Sequence, residues 1–212
     1  MRLFSRNCVL TFSLISLSLL IIPNGLAEET SAAVPLYTEP ELIALINKNT
    51  HLARVKADDC QLVQDIEARA NKMALPSYQF LYGDMLAYNV CVDRNVELGV
   101  YYMRKAAEQG LAAALEQLGR YYDTGRLVQQ DKAMAVTYLR EASSQGNLKA
   151  QLRLVKLFND GFGSPRDFED AYRWLFHSMV ADKATHKKIE RALAELAQKM
   201  PGSVVARARL PM

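Results

Sequence analysis

Residues 111–146 read LAAALEQLGRYYDTGRLVQQDKAMAVTYLREASSQG, and this stretch decides the fold. Its first half sets Leu111, Leu115, Leu118 and Tyr122 three and four residues apart, the apolar stripe of an amphipathic helix. The spacing predicts a helix over 112–124. Gly125 ends it, because the left-handed position after a helix favours glycine. Asp131 then offers an N-cap oxygen to a second helix, whose stripe is Ala135, Tyr138, Leu139 and Ala142. Gly146 closes that helix. A single helical hairpin cannot bury its apolar face alone, so the stretch calls for copies of itself to stack upon.

The copies are present at a step of 36 residues. Gly110 recurs as Gly146, Ala114 as Ala150, Leu118 as Leu154 and Tyr122 as Phe158. Asp131 recurs as Asp167, Ala135 as Ala171 and Tyr138 as Trp174. Backwards by the same step, Ala142 meets Ala106, Tyr138 meets Tyr102, Ala135 meets Gly99 and Gly119 meets Gly83. Three hairpins are therefore expected between residues 76 and 181. The recurring Ala and Gly positions let helices approach closely, and the recurring aromatics fill the gaps between them. The fold class that follows is all-α, a solenoid of helical hairpins.

The flanks read as helical caps on that array. Thr38-Glu39-Pro40-Glu41 is a capping box with proline in the first turn, ahead of residues 42–46. Asp58 is expected to start a helix with Leu62, Val63, Ile66, Ala70 and Met73 on one side. After the array, Ile189, Leu193, Leu196 and Met200 form a stripe that stops before Pro201, and Ser203 opens a short last helix to Arg209. The organisation expected is a signal peptide over 1–27, an N-terminal helical region over 28–75, three repeats over 76–181, and a C-terminal helical cap and tail over 182–212.

The signal reading rests on Arg2 and Arg6 as a charged n-region and on residues 8–22 as the apolar run. Gly25-Leu26-Ala27 supplies small residues at the −3 and −1 positions, so cleavage is expected after Ala27. The run is 15 residues, short of the ~20 that a membrane span needs. The mature chain is expected in the periplasm with no transmembrane segment. Cys8 leaves with the signal, and Cys60 and Cys91 remain; an even pair in an exported chain reads as one disulfide. Two thiols with no histidine nearby fall short of a zinc ligand set.

Composition narrows the function classes further. Half of the 212 residues are hydrophobic and 23% are charged, which excludes a disordered tail and a polytopic membrane protein. Without Arg2 and Arg6 the chain carries 24 basic against 23 acidic residues. A near-neutral chain without a Lys/Arg cluster is a poor nucleic-acid binder. His51, His177 and His186 lack metal spacing, and there is no nucleophile elbow or Walker loop. Gly161-Phe162-Gly163 sits at a turn inside the third repeat and is read as turn geometry. No catalytic, cofactor-binding or metal-ligating residue is expected, and no cofactor.

Repetition sorts the aromatic residues. Tyr102, Tyr138 and Trp174 recur with one another, as do Tyr122 and Phe158, so they serve stacking. Tyr121 answers to Met85 and Leu157 and is expected in the core. Tyr88 answers to Thr124 and Asp160, and Tyr101 to Thr137 and Arg173. These two tyrosines are free of the repeat and are the candidates for a partner-binding surface.

The pattern AxxxLGxxYxxG over 114–125, DxxxAxxYLxxA from Asp131, and AAEQG over 106–110 resembles the Sel1-like repeats, a relative of the tetratricopeptide class; 150–181 follows more loosely. That family is a scaffold for protein–protein contacts. VKADDCQLVQDIEARA over 55–70 and GFGSPRDFEDAYRWL over 161–175 further resemble the periplasmic components of sodium-driven polar flagellar motors, over roughly 37–208. Cys60 and Cys91 fall at positions matching that family's cysteine pair. The resemblance implies a non-enzymatic adaptor in a ring around the flagellar basal body, which recruits or holds stator units. Its implied partners are a MotY-like ring protein and a PomB-like stator protein. A generic periplasmic Sel1-like scaffold and a weak hydrolase are the competing readings.

Overall fold

The structure, a computed structural model, describes residues 35–211. The expected export signal and its cleavage point after Ala27 lie outside the described residues. Within them all regular structure is helical. The reference hairpin forms as its sequence demands. Helix α6 (Ala112–Thr124) ends on Gly125 at φ +72°, and α7 (Lys132–Ser144) starts where the Asp131 carboxylate accepts from Met134 N at 3.0 Å. The same device one step earlier is Asn95, which accepts from Leu98 N at the head of α5 (Val96–Glu108).

The first hairpin joins α4 (Pro76–Tyr88) to α5, and the third joins α8 (Leu148–Asn159) to α9 (Phe168–Phe176) through a single 3-10 turn at Pro165–Asp167. Each hairpin packs on its neighbour to give one continuous core. Tyr78, Leu81, Met103, Leu115, Leu118, Leu139, Leu154 and Phe158 all lie inside it. The first crossing is the tightest, for a reason legible in the residues. A Cβ added at Gly83 would lie 2.7 Å from the Gly99 carbonyl oxygen, and one at Gly99 would lie 2.7 Å from that of Gly83. Only glycine at both sites lets the backbones of α4 and α5 meet. By the 36-residue step the same two positions are Gly119 and Ala135 in the second hairpin, then Val155 and Ala171 in the third.

Three short helices precede the array. Helix α1 (Glu39–Asn47) carries the expected capping box, with Thr38 Oγ1 accepting from Glu41 N and Glu41 reaching back to Thr38 N. Helix α2 (His51–Ala57) has no counterpart in the sequence reading. Helix α3 (Val63–Asn71) follows, with Ile66 and Ala70 buried. Two expectations change here. Asp58 does not cap α3; it ends α2, where Tyr37 donates to it at 2.6 Å and Arg54 at 2.8 Å. Those partners occupy the carboxylate, and α3 starts at Val63 after Leu62 with no side-chain cap. Met73 lies past the end of α3 and is 58% exposed, so it leaves the apolar stripe.

Cys60 and Cys91 are joined by a disulfide with Cα atoms 5.5 Å apart. Both cysteines lie in loops, Cys60 between α2 and α3 and Cys91 between α4 and α5. The bridge therefore ties loop to loop. After the array, Asp182 caps α10 (Lys183–Ala197), which packs on α8 and α9 through Ile189, Leu193 and Leu196. Helix α11 (Gly202–Ala208) returns to α9, where Arg207 pairs with Glu169. Among the described residues no helix is long and apolar enough to cross a membrane.

Candidate partner-binding groove

The first helices of the three hairpins, α4, α6 and α8, line up along one side of the array. The turn joining α1 to α2 stands opposite them, and Lys149 at the start of α8 donates to the Asn47 carbonyl on that turn at 3.3 Å. Between them runs a groove of about 510 Å³. A carboxylate is sunk in its floor. Asp84 on α4 is buried, and three features hold it there. His51 at the head of α2 meets Oδ2 through Nε2 at 2.7 Å, with the imidazole donating. Gln117 on α6 donates to Oδ1 at 2.5 Å. The Arg120 guanidinium lies near enough to favour the charged form. Burial outweighs all three and pushes the Asp84 carboxyl above the ordinary carboxylate range.

The chain of polar contacts continues to the groove wall. Gln117 also reaches the Tyr121 hydroxyl at 2.9 Å, and that hydroxyl shares a hydrogen bond with Tyr88 at 2.5 Å. Burial pushes the Tyr121 phenol far above its usual pKa. Tyr88 thus has its hydroxyl committed to Tyr121, while its ring faces the groove and carries the Arg126 guanidinium 5.1 Å from its centroid. Arg120 lies over the Tyr121 ring at 4.9 Å and donates to Gln117 Oε1 at 3.0 Å. Arg153 on α8 completes the wall; it pairs with Asp123 at 2.7 Å, a carboxylate that Lys132 also grips at 2.6 Å. Burial works against the charged form of Asp123, but those two cations win and hold it below the usual range.

Tyr101 occupies a different place. It sits on α5, no residue of which lines this groove, and it is 49% exposed with Lys105 over its ring at 5.8 Å. The structure does not bring the two candidate tyrosines together. It places the recurring aromatics where repetition suggested: Tyr122 and Tyr138 stack at 5.7 Å with planes 8° apart, and Tyr82 meets Tyr102 edge-on at 5.2 Å. Tyr121 is fully buried, as its equivalents Met85 and Leu157 implied. The sequence reading missed His51 and Asp84. A signal was available, because Asp84 answers to Arg120 and Lys156 at the 36-residue step, an acid where the other copies hold cations. Among the described residues no three His, Cys, Asp or Glu side chains converge into a metal-ligand set.

Comparison with known proteins agrees with this architecture and adds a lineage. Residues 76–111, 112–147 and 148–176 match the Sel1 repeat family. Over 183 residues the chain is 56% identical to the sodium-type polar flagellar protein MotX of Vibrio parahaemolyticus, covering 86% of this chain and 87% of that one. The chain belongs to the MotX family. The MotX-family match therefore takes in the repeats and the flanking helices together. A more distant similarity, 33% over 92 residues, is to the ERAD-associated E3 ubiquitin-protein ligase component HRD3A of Arabidopsis thaliana; it covers 43% of this chain and only 14% of that protein.

Two solved structures share the fold of this MotX-family chain. A Sel1 repeat protein from Oxalobacter formigenes superposes with a TM-score of 0.55 at 24% identity, over 61% of this chain and 97% of that one. A protective antigen of uropathogenic Escherichia coli with an SLR fold gives 0.54 at 20% identity, over 80% of this chain and 36% of the other. These likenesses concern fold alone. In this chain the α1–α2 turn faces α6 and α8 across the groove.

Proposed function

We propose that the chain is a component of a sodium-driven polar flagellar motor and acts there as an adaptor, without catalysis. The observation that carries this reading is the 56% identity to MotX, spread over 86% of this chain and 87% of its relative. The finer proposal is that the mature protein, released by cleavage after Ala27, works in the periplasm within a ring around the basal body. There it recruits or holds stator units through contacts with a MotY-like ring protein and a PomB-like stator protein. In this reading residues 28–75 close the N-terminal end of the array, the three repeats over 76–181 present the contact surfaces, and residues 182–212 cap the other end. A stacked array supports such a role physically, because it offers an extended surface to two partners at once.

Deletion of the gene tests the reading. Cells are expected to keep their filaments but to swim slowly or stop, with fluorescent stator proteins no longer gathering at the flagellated pole. Capture of the tagged mature protein from the envelope is expected to recover ring and stator proteins. Intact swimming after deletion, or capture of envelope proteins unrelated to the motor, sinks the proposal and leaves a general periplasmic scaffold.

A further inference from the structure

The groove beside Tyr88 is lined by four cations, Arg120, Arg126, Lys149 and Arg153, against two carboxylates, Asp84 and Glu116. Asp84 is turned inward onto His51 and Gln117, so its charge is met inside the protein. Arg153 is met by Asp123. The other three cations have no acidic partner within ion-pair distance among the described residues. Two of them are nevertheless held in place. Arg120 is fixed by the Tyr121 ring and Gln117, and Arg126 rests on the Tyr88 ring.

Arg120 recurs as a cation at Lys156, but repetition demands neither Arg126 nor Lys149. At the 36-residue step Arg120 answers to Asp84 and Lys156, Arg126 to Val90 and Phe162, and Lys149 to Ala113 and Ser77. Their convergence on one groove is a property of this site and not of the scaffold. Guanidinium groups steadied by aromatic rings along a groove wall offer forked donors that suit a carboxylate ligand, one N–H of Arg120 being given to Gln117. The α1–α2 turn walls the groove opposite α6 and α8, a concave, charged shape that suits a single segment of chain.

We infer that this groove binds an acidic, extended peptide segment of a partner protein, with Arg120, Arg126 and Lys149 taking its carboxylates and Tyr88 supporting its backbone. The inference is independent of the motor assignment, since it concerns the chemistry of the groove alone. Glu116 opposes such a ligand, and its neutralisation is expected to tighten binding.

The test uses the purified mature protein and fluorescent oligo-glutamate, with oligo-lysine and a neutral Gly/Ser peptide of equal length as controls, followed by anisotropy. Saturable, salt-sensitive binding of oligo-glutamate alone is expected. Arg126→Glu and Lys149→Glu, both at exposed positions, should each weaken it about tenfold, the size of one lost close charge pair, with an unchanged melting curve. Glu116→Gln should strengthen it. A preference for oligo-lysine, absence of saturable binding, or indifference to both charge reversals overturns the inference. So does a dimer in sedimentation that Arg126→Glu dissociates, which would make a second copy of this chain the occupant.

Discussion

At the residue scale the most consequential pair is His51 with Asp84, a buried hydrogen-bonded pair whose partners come from α2 and α4. Removing one member leaves the other's polar atoms buried without their partner, and that is costlier than removing both. His51→Leu is expected to lower unfolding free energy by about 2 kcal/mol in urea titration, and His51→Leu/Asp84→Leu to recover more than about 1 kcal/mol of it. A double variant no more stable than the single one would show that packing against Phe80, 5.5 Å from the imidazole, matters more than the hydrogen bond. Tyr88 was legible in the sequence as an aromatic outside the repeat. The groove's charges were not, because their convergence depends on how the α1–α2 turn faces the array and leaves no local sign. The 36-residue step does single out Asp84, Arg126 and Lys149, whose equivalents lack their charge.

At the scale of elements, sequence spoke clearly where a helix is bounded by its own local chemistry. Helix α6 ends at a glycine in the left-handed region and α7 begins at an aspartate cap, and both boundaries follow from residues within the element. It spoke poorly between α2 and α3. There Asp58 is claimed by Tyr37, 21 residues away, and the chain turns through Asp59 and Cys60 at positive φ with no glycine to mark the bend. A disulfide holds that bend to the corresponding bend after α4, where Asn89 and Cys91 are also at positive φ. With the cysteines 31 positions apart in sequence, loss of the bridge should cost about 3–4 kcal/mol by the chain-entropy argument. Cys60→Ser and Cys91→Ser are each expected to lower protein abundance on immunoblots, while the surviving protein keeps its helical circular dichroism. Wild-type abundance in either variant would remove the bridge from the list of stabilising elements.

For the molecule as a whole, acid is the condition that should loosen it. The carboxyls of Glu41, Asp58, Asp123, Glu169 and Asp182 are all held below their ordinary values. A depressed folded-state pKa contributes stability above the unfolded value, near 4, and loses it as pH falls through the folded value. Asp84 runs the other way: its pKa is raised, so its own contribution grows as pH falls, one group against five. The melting temperature should be level from neutral pH to about 4.5 and fall steeply below about 4. A steady rise toward acid would show that the buried Asp84 outweighs the five surface carboxyls. The all-α solenoid itself was legible, because a repeat states its own long-range contacts. The α1–α2 wall was not, for its tie from Lys149 to Asn47 spans 102 residues and leaves no local trace.

The position of the bridge also bears on the order of assembly. Both cysteines, the five helices from α1 to α5, and the Gly83–Gly99 crossing precede residue 109. A polypeptide delivered N-terminus first presents this whole block while the second and third hairpins are still in transit. Oxidation can seal the block at that stage, and it then stands as a finished template with one apolar side open. Each later hairpin needs only the surface of the one before it. The protein is thus arranged to be built in the direction in which it is synthesised, with its covalent seal in the block of described helices that comes first.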